Sequence, residues 1–247
     1  MDAKVRIGVL TPHQAIGPEA EFPAMAPGQI MTHVVRLLSN ELHSGRAPTS
    51  PSLLADLTKS PVLDDAARTL AAKPIAVVVH ASTTSGYAIG FEAETAMVSR
   101  LSQLTGLPVA ATCTAAVHAL HVLGAMRIAL IGAPWFDPEH NELGAAYFTA
   151  QGFRVVSSRS ADLPQDPRGV DTGGLAEWVL RHVEDSAEAV FIGGNGFRAT
   201  QSVDTLEAGL DRPVITSNQV LLWQVLALTG DSVQVGDRHG KLFALEP

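Results

Sequence analysis

Short, nearly unbroken apolar runs alternate along the chain with segments of helical periodicity. Val5–Leu10, Ile75–Val79, Leu107–Ala111, Arg127–Ile131 and Ala189–Ile192 are runs of this kind. Each reads as a strand buried on both faces, the pattern of a parallel sheet covered by helices. Between them, Glu92–Leu104 places Met97, Leu101 and Leu104 on one helical face, and Gly106 ends that helix. Asp64–Ala72 is also helical. Thr112 or Thr114 caps a further helix through Val117, Leu120 and Leu123, closed by Gly124. Residues 29–43 mix strand and helix signals, and the Pro-, Ser- and Thr-rich stretch from Ala47 to Pro61 reads as a loop.

The pattern then repeats. Arg127–Pro134 echoes Arg6–Pro12, Ala189–Gly194 echoes Ala76–Ala81, and Arg212–Ser217 echoes Leu107–Thr112. Echoes in one order predict two related α/β halves. The expected fold is therefore α/β, a pair of pseudo-symmetric Rossmann-like, flavodoxin-like parallel-sheet domains with an inter-domain cleft. Residues 1–115 plus 217–247 would form the first domain and 116–216 the second. The loops after Leu10, His80, Ile131 and Ile192 would line the cleft, because ligands of open α/β sheets bind beyond the strands' carboxyl ends.

Bulk properties narrow the function classes. With 247 residues, 46% hydrophobic and 17% charged, the chain can bury a substantial core. A net charge of −8 disfavours nucleic acid and anionic membranes as partners. One cysteine excludes an internal disulfide and any multi-cysteine metal site. No apolar run approaches the roughly 20 residues that cross a bilayer, and no secretory signal opens the chain. A soluble, cytoplasmic protein is expected.

The candidate chemistry gathers at strand ends. Ile75–Val79 runs through His80 and Ala81 into Ser82, Thr83, Thr84 and Ser85. These hydroxyls suit an anion site, although this stretch alone favours a polar turn that caps a helix. The matching second-half segment, Gly193–Gly196, admits close backbone approach to a ligand but lacks dinucleotide-fingerprint spacing, and a plain turn is its alternative reading. His13 and His80 sit at strand ends, where an imidazole acts as a general base or simply packs. His118 and His121 lack zinc-ligand spacing, so no metal is expected. Cys113 starts a helix, where a thiol is acidified unless it is buried as a small hydrophobe. No Gly-x-Ser-x-Gly elbow is present.

Several motifs together resemble the aspartate/glutamate racemase superfamily, in its branch of maleate cis-trans isomerase, arylmalonate decarboxylase and EutA-like proteins. They are Arg6–Pro12 with Glu19-Ala-Glu21, Ala81–Gly86 with Gly90-Phe-Glu92, Ala119–Gly124 before Arg127–Ile131, and Phe197-Arg198, Leu206-Glu207 and Pro213–Gln219 with Trp223. The resemblance implies chemistry without a cofactor, in which cysteines move a proton or attack substrate while hydroxyls and backbone N–H groups hold a carboxylate or enediolate. It places the family's first cysteine at Ser82 and the second at Gly194, an Asn near Ala15, and a Tyr at Trp135, with Asp137 and Asn141 fitting the pattern. Two-cysteine racemisation is then excluded.

Resemblance and residues together imply a cofactor-independent enzyme on a small carboxylate or dicarboxylate. Isomerase, decarboxylase and hydrolase chemistry all fit, with a non-cysteine acid/base. Ser82, His13 and Tyr87 are the expected catalytic residues, His80 being a further replacement for the thiols. Thr83, Thr84, Trp135, Gly194, Asn195 and Gly196 are expected to bind substrate. The alternative is a catalytically silent carboxylate-binding or regulatory protein. Relatives are often oligomeric, so a homo-oligomer is an expectation as well.

Overall fold

The computed structural model describes residues 3–37, 50–166, 169–230, 232–236 and 239–245. Its first half contains β1 (Val5–Thr11), α1 (Pro18–Met25), β2 (Ile30–Arg36), α2 (Pro51–Asp56), α3 (Val62–Ala71), β3 (Val77–His80), α4 (Thr83–Ile89), α5 (Phe91–Thr105), β4 (Val109–Ala111) and α6 (Thr112–Val122). The second contains β5 (Arg127–Gly132), α7 (Pro138–Ala150), β6 (Arg154–Ser160), α8 (Thr172–His182), β7 (Ala189–Ile192), α9 (Val203–Leu210), β8 (Val214–Thr216) and α10 (Ser217–Thr229). Two four-stranded sheets result, ordered β2-β1-β3-β4 and β6-β5-β7-β8. Every pairing is parallel.

The unbroken runs are strands because both faces are covered. Val77 and Val79 pack with Phe22, Met25, Leu221 and Leu222, whereas Val78 packs on the other face with Leu63, Leu70, Met97 and Leu101. In the second sheet Ile128, Leu130 and Phe191 face one cluster, and Ala129, Ile131, Val190 and Ile192 face the other. Removing a side chain such as Leu101 or Leu70 would cost about 2–5 kcal/mol, because these interiors collapse only in part.

The two helices that come after the last strand of each sheet cross over. Helix α6 leaves β4 of the first sheet and contributes Ala116, Ala119 and Leu120 to the cluster on β5 and β7. Helix α10 leaves β8 and contributes Leu221, Leu222 and Val225 to the cluster on β1 and β3. Its Val220 and Trp223 join the α6 side. The halves are thereby locked through a shared α6–α10 layer, and the starts of both helices, Thr112 and Ser217, come to the centre of the molecule.

Local departures from the sequence reading have plain causes. The stretch read as a loop contains α2, started by Ser50, whose hydroxyl accepts from the Leu53 N–H at 3.3 Å, and by Pro51 at the first helical position. The ambiguous 29–43 segment is a strand over Ile30–Arg36. Residues 38–43 and 47–49 of these segments lie outside the described residues. Neither Thr112 nor Thr114 caps α6. Ala111 is its N-cap, and the capping groups come from Glu94 on α5, whose carboxylate accepts the N–H groups of Cys113 at 3.3 Å and Thr114 at 3.1 Å. Gly106 and Gly124 do close their helices, with φ of 69° at each.

Candidate functional site

In each sheet the strand order reverses between the two central strands, and open α/β sheets place their ligands beyond that point. In the first sheet it falls between β1 and β3, in register at Leu10 and His80. In the second it falls between β5 and β7, in register at Ile131 and Ile192. The loops beyond these strand ends therefore converge. Residues 12–17 and Ser82 come from one half, and Ala133–Trp135 and Gly193–Gly196 from the other. A Cβ added to Gly17 would lie 2.4 Å from the Asn195 carbonyl oxygen, and one added to Gly196 would lie 2.8 Å from Ala15 Cβ. Only glycine permits that approach.

Ser82 ends the first-half turn in extended backbone and caps α4, accepting the Ser85 N–H at 3.2 Å. Its Oγ lies 3.3 Å from His13 Nε2 and donates to Ser85 Oγ at 2.7 Å. Residues 69 apart in sequence are thus brought within hydrogen-bond reach. Ser82 is fully buried and His13 half-buried. Burial, with the Arg36 guanidinium and His140 nearby, holds the His13 imidazole down at about 4. At neutral pH it is uncharged and able to accept a proton.

Thr83 and Thr84 are adjacent but differ in role. The Thr83 hydroxyl donates to Asn195 Oδ1 at 3.1 Å, sits 2.8 Å from Ser217 Oγ and accepts the Gly194 N–H at 3.1 Å. Asn195 Oδ1 also takes the Thr83 N–H at 3.0 Å and the Thr112 hydroxyl at 3.2 Å. Behind it, Asn195 Nδ2 donates to Asn218 Oδ1 at 2.9 Å, and Asn218 Nδ2 donates to Glu21 Oε2 at 2.6 Å. Glu21 accepts the Thr200 N–H at 2.9 Å as well, and burial raises its carboxyl against those bonds. This buried chain joins both halves and α10. By contrast, Thr84 Oγ1 is buried with no partner, and so are both ring nitrogens of His80.

The remaining expected residues spread around this centre. Gly194 has φ of 113°, a conformation that favours glycine. Trp135 is half-buried, edge-on to Phe197 at 5.7 Å and beside Gly196. Tyr87 lies in the aromatic core with Tyr147 and Phe148, and its hydroxyl would sit 3.3 Å from a Cβ on Gly193. Burial, with Cys113 and Glu94 close by, pushes its phenol well up, so it stays protonated. Cys113 is buried with its thiol donating to the Thr83 carbonyl at 3.3 Å, and burial pushes the thiol up rather than acidifying it. Its small-hydrophobe reading is the one the structure matches.

Sequence reasoning missed Arg36, Glu94 and the Glu21–Asn218 support. Arg36 pairs with Glu19, while its Nη1 is buried without a partner. Nothing in the edge-strand pattern of β2 signals that it bends its charge toward His13. Among the described residues no group of three or more His, Cys, Asp or Glu is placed to hold a metal ion, and no helix is long and apolar enough to cross a membrane.

The chain is thus an α/β protein of paired parallel-sheet halves, which oppose a hydroxyl loop to a glycine loop with an uncharged imidazole against a serine between them. The chain belongs to the arylmalonate decarboxylase family, whose model matches residues 60–243. It is 26% identical over 183 residues to arylmalonate decarboxylase of Bordetella bronchiseptica, covering 72% of this chain and 75% of that protein. It is 29% identical over 225 residues to maleate isomerase of Pseudomonas putida, covering 86% of each. The fold matches the crystal structure of a Pseudomonas putida maleate isomerase variant solved with maleate, with TM-score 0.83, 21% identity and 97% coverage of both chains. The superfamily branch drawn from the motifs is the one these comparisons give.

Proposed function

We propose that the protein is a cofactor-independent enzyme acting on a small carboxylate or dicarboxylate, with Ser82 and His13 as its acid/base pair. The observation that carries this reading is the 3.3 Å separation of His13 Nε2 and Ser82 Oγ, with the imidazole neutral. A serine hydroxyl is inert until a base takes its proton; the His13 lone pair is free to do so at neutral pH, and the burial that holds the ring at about 4 makes it a weaker base than a free imidazole. In isomerisation the serine oxygen would add to one alkene carbon while the imidazolium protonates the other. After rotation the reverse step would expel the serine oxygen and return the proton to the imidazole. In decarboxylation CO2 would leave and the carbanion take the Ser82 proton, replaced from water through His13. In hydrolysis the serine oxygen would form an ester that water cleaves, regaining its proton from the imidazolium. In this reading the family's thiol positions are occupied by Ser82 and Gly194.

The relatives are named for arylmalonates and maleate, which supports a dicarboxylate as substrate. Thr84 and the Gly194–Gly196 loop would hold the carboxylate, with Trp135 as a wall. Thr83 and Asn195 would act by fixing that loop, since their polar groups are already engaged. Arg36 adds the positive field, and Tyr87, kept protonated, is available only as a donor. Because Ser82 is fully buried, substrate reaches it only when one of the surrounding loops moves.

A second reading, a silent carboxylate-binding protein, draws on the Ser82 proton pointing to Ser85 at 2.7 Å rather than to His13. Turnover of malonates, maleate, maleamate and small lactones by wild type, Ser82→Ala and His13→Ala separates the two. The enzyme reading expects a loss of about 10²–10⁴-fold in each variant. Equal turnover in all three proteins would overturn the site, and binding without turnover would favour the silent reading.

A further inference from the structure

His13 stands in a loop with little regular support of its own. Among the described residues, no backbone–backbone hydrogen bond engages residues 12–16. Side chains reach the loop instead. Thr11 Oγ1 accepts the His13 N–H at 3.3 Å where β1 ends. Glu19, in the first turn of α1, reaches back and accepts the Gly17 N–H at 3.0 Å through Oε2. Its other oxygen pairs with Arg36, whose Nη2 also donates a long bond to the Ala15 carbonyl at 3.4 Å. Arg36 comes from the end of β2, in register with Thr11. One ion pair therefore grips the loop at both Ala15 and Gly17. The same stretch rests on the glycine loop, where Gly17 meets the Asn195 carbonyl and Ala15 meets Gly196.

We propose that Glu19 and Arg36 are positioning residues, which hold residues 12–17 so that His13 Nε2 stays within reach of Ser82 Oγ. The inference rests on the acid/base reading and names what that pair depends on. The imidazole is carried by backbone with no ladder behind it, so a loop freed at Ala15 or Gly17 takes the ring with it. A misplacement of about 1 Å is enough to cost on the order of 100-fold in rate. The ion pair is only partly buried, with 24% of the Arg36 side chain and 20% of the Glu19 side chain exposed, so its loss costs the fold little. Arg36 also acts by charge. The ionisable groups around the His13 ring are Arg36 from β2, His140 from α7 and His80 from β3. Of these Arg36 is the permanent cation, and it opposes protonation of the ring. Removing it therefore moves the titration of the ring upward.

The test is turnover of malonates, maleate, maleamate and small lactones by Glu19→Ala, Arg36→Gln and Arg36→Lys, each made in wild type and in His13→Ala. Glu19→Ala should lower kcat about 10–100-fold with KM within about threefold. Arg36→Gln should lower kcat similarly. It should also raise the acid limb of kcat/KM, near pH 4 in wild type, by about 0.5–1 pH. Glu19→Ala and Arg36→Lys keep the cation and should not raise that limb. In His13→Ala none of the three should lower turnover further, because each acts through the ring. Equal losses in both backgrounds would make Glu19 an ordinary helix cap and Arg36 a structural partner, and would overturn the proposal while the acid/base pair stands. An acid limb unmoved in Arg36→Gln would separate Arg36 from the ring and overturn its assignment. If wild type turns over none of the panel, or His13→Ala matches it, the acid/base reading falls and takes this one with it.

Discussion

The two loops that meet at the centre of this molecule occupy equivalent places in equivalent sheets but are made of opposite materials. After β3 the chain carries four consecutive hydroxyl residues close behind a histidine. After β7 it carries glycines around a single asparagine. The hydroxyl loop keeps side-chain groups to spare, in His80, Thr84 and the Ser82–His13 pair. The glycine loop has none to spare, because Asn195 and the Gly194 N–H are fully used in holding the halves together. In the proposed reading the duplicated fold divides labour, with one copy bearing the chemistry and the other supplying close backbone and rigidity.

The contrast is broken most severely at its clamp. Asn195→Ala leaves the Thr83 N–H without its acceptor and Asn218 Oδ1 without its donor, and takes one of two partners from the Thr83 and Thr112 hydroxyls, which keep Ser217 Oγ and the His80 carbonyl; it should lower unfolding free energy by about 2–4 kcal/mol. Thr84→Val, which removes a hydroxyl with no partner, should leave stability unchanged or raised. Urea unfolding of both checks this, and equal losses would erase the distinction between the loops.

A comparable effect runs through pH. Burial raises the Glu94 carboxyl from 4.5 to about 7, despite bonds from Tyr147, Cys113 and Thr114. A raised carboxyl stabilises the fold below its unfolded value and loses that contribution as pH climbs through about 7. The loss is on the order of 3 kcal/mol. His13 and His80, lowered from 6.5 to about 4, run the other way, losing their contribution as pH falls through that window. Unfolding of wild type against Glu94→Gln between pH 4 and pH 8 isolates the carboxyl, and a flat difference curve would refute its shift.

Smaller effects sharpen the glycine side. Gly194→Ala forces a side chain into φ of 113° and should cost about 1–3 kcal/mol. Gly193→Ala, whose Cβ would meet Thr83 Cγ2 and Tyr87 Oη at 3.3 Å, should cost less. Chemical denaturation midpoints give the order, and a reversal would mean that crowding outweighs backbone conformation. The smallest change is expected from Ser85→Ala. It frees the Ser82 proton from its present acceptor, so turnover should rise by a few-fold as Ser82 turns to His13, whereas a fall would show that Ser85 holds Ser82 in place.

The fold was largely legible before the structure, because parallel strands covered on both faces leave unbroken apolar runs and because the runs recur in one order. The hydroxyl and glycine loops were legible for the same reason, since each comes directly after such a run. His13 and Ser82 could be paired as candidates, and the structure brings them together. Less visible were the supports. Glu94 caps α6 from another helix, and Glu21 reaches Asn218 across 197 residues. Helix α2 was hidden by a composition that reads as loop, since Ser and Pro also start helices. Arg36 gave no signal within an edge strand.

By itself, the sequence determined the alternation of strands and helices, the doubling of the unit, and the collection of small polar residues at the ends of central strands. These arise from local periodicity, and a parallel connection has one favoured hand. Only the tertiary structure decided which hydroxyl bridges the halves and which stays unpaired, and that His13 and His80 are neutral while Glu94 titrates near neutrality. Hydrogen-bond pairing and protonation depend on burial and on partners far along the chain, and neighbours as close as Thr83 and Thr84 have no local feature that would tell them apart.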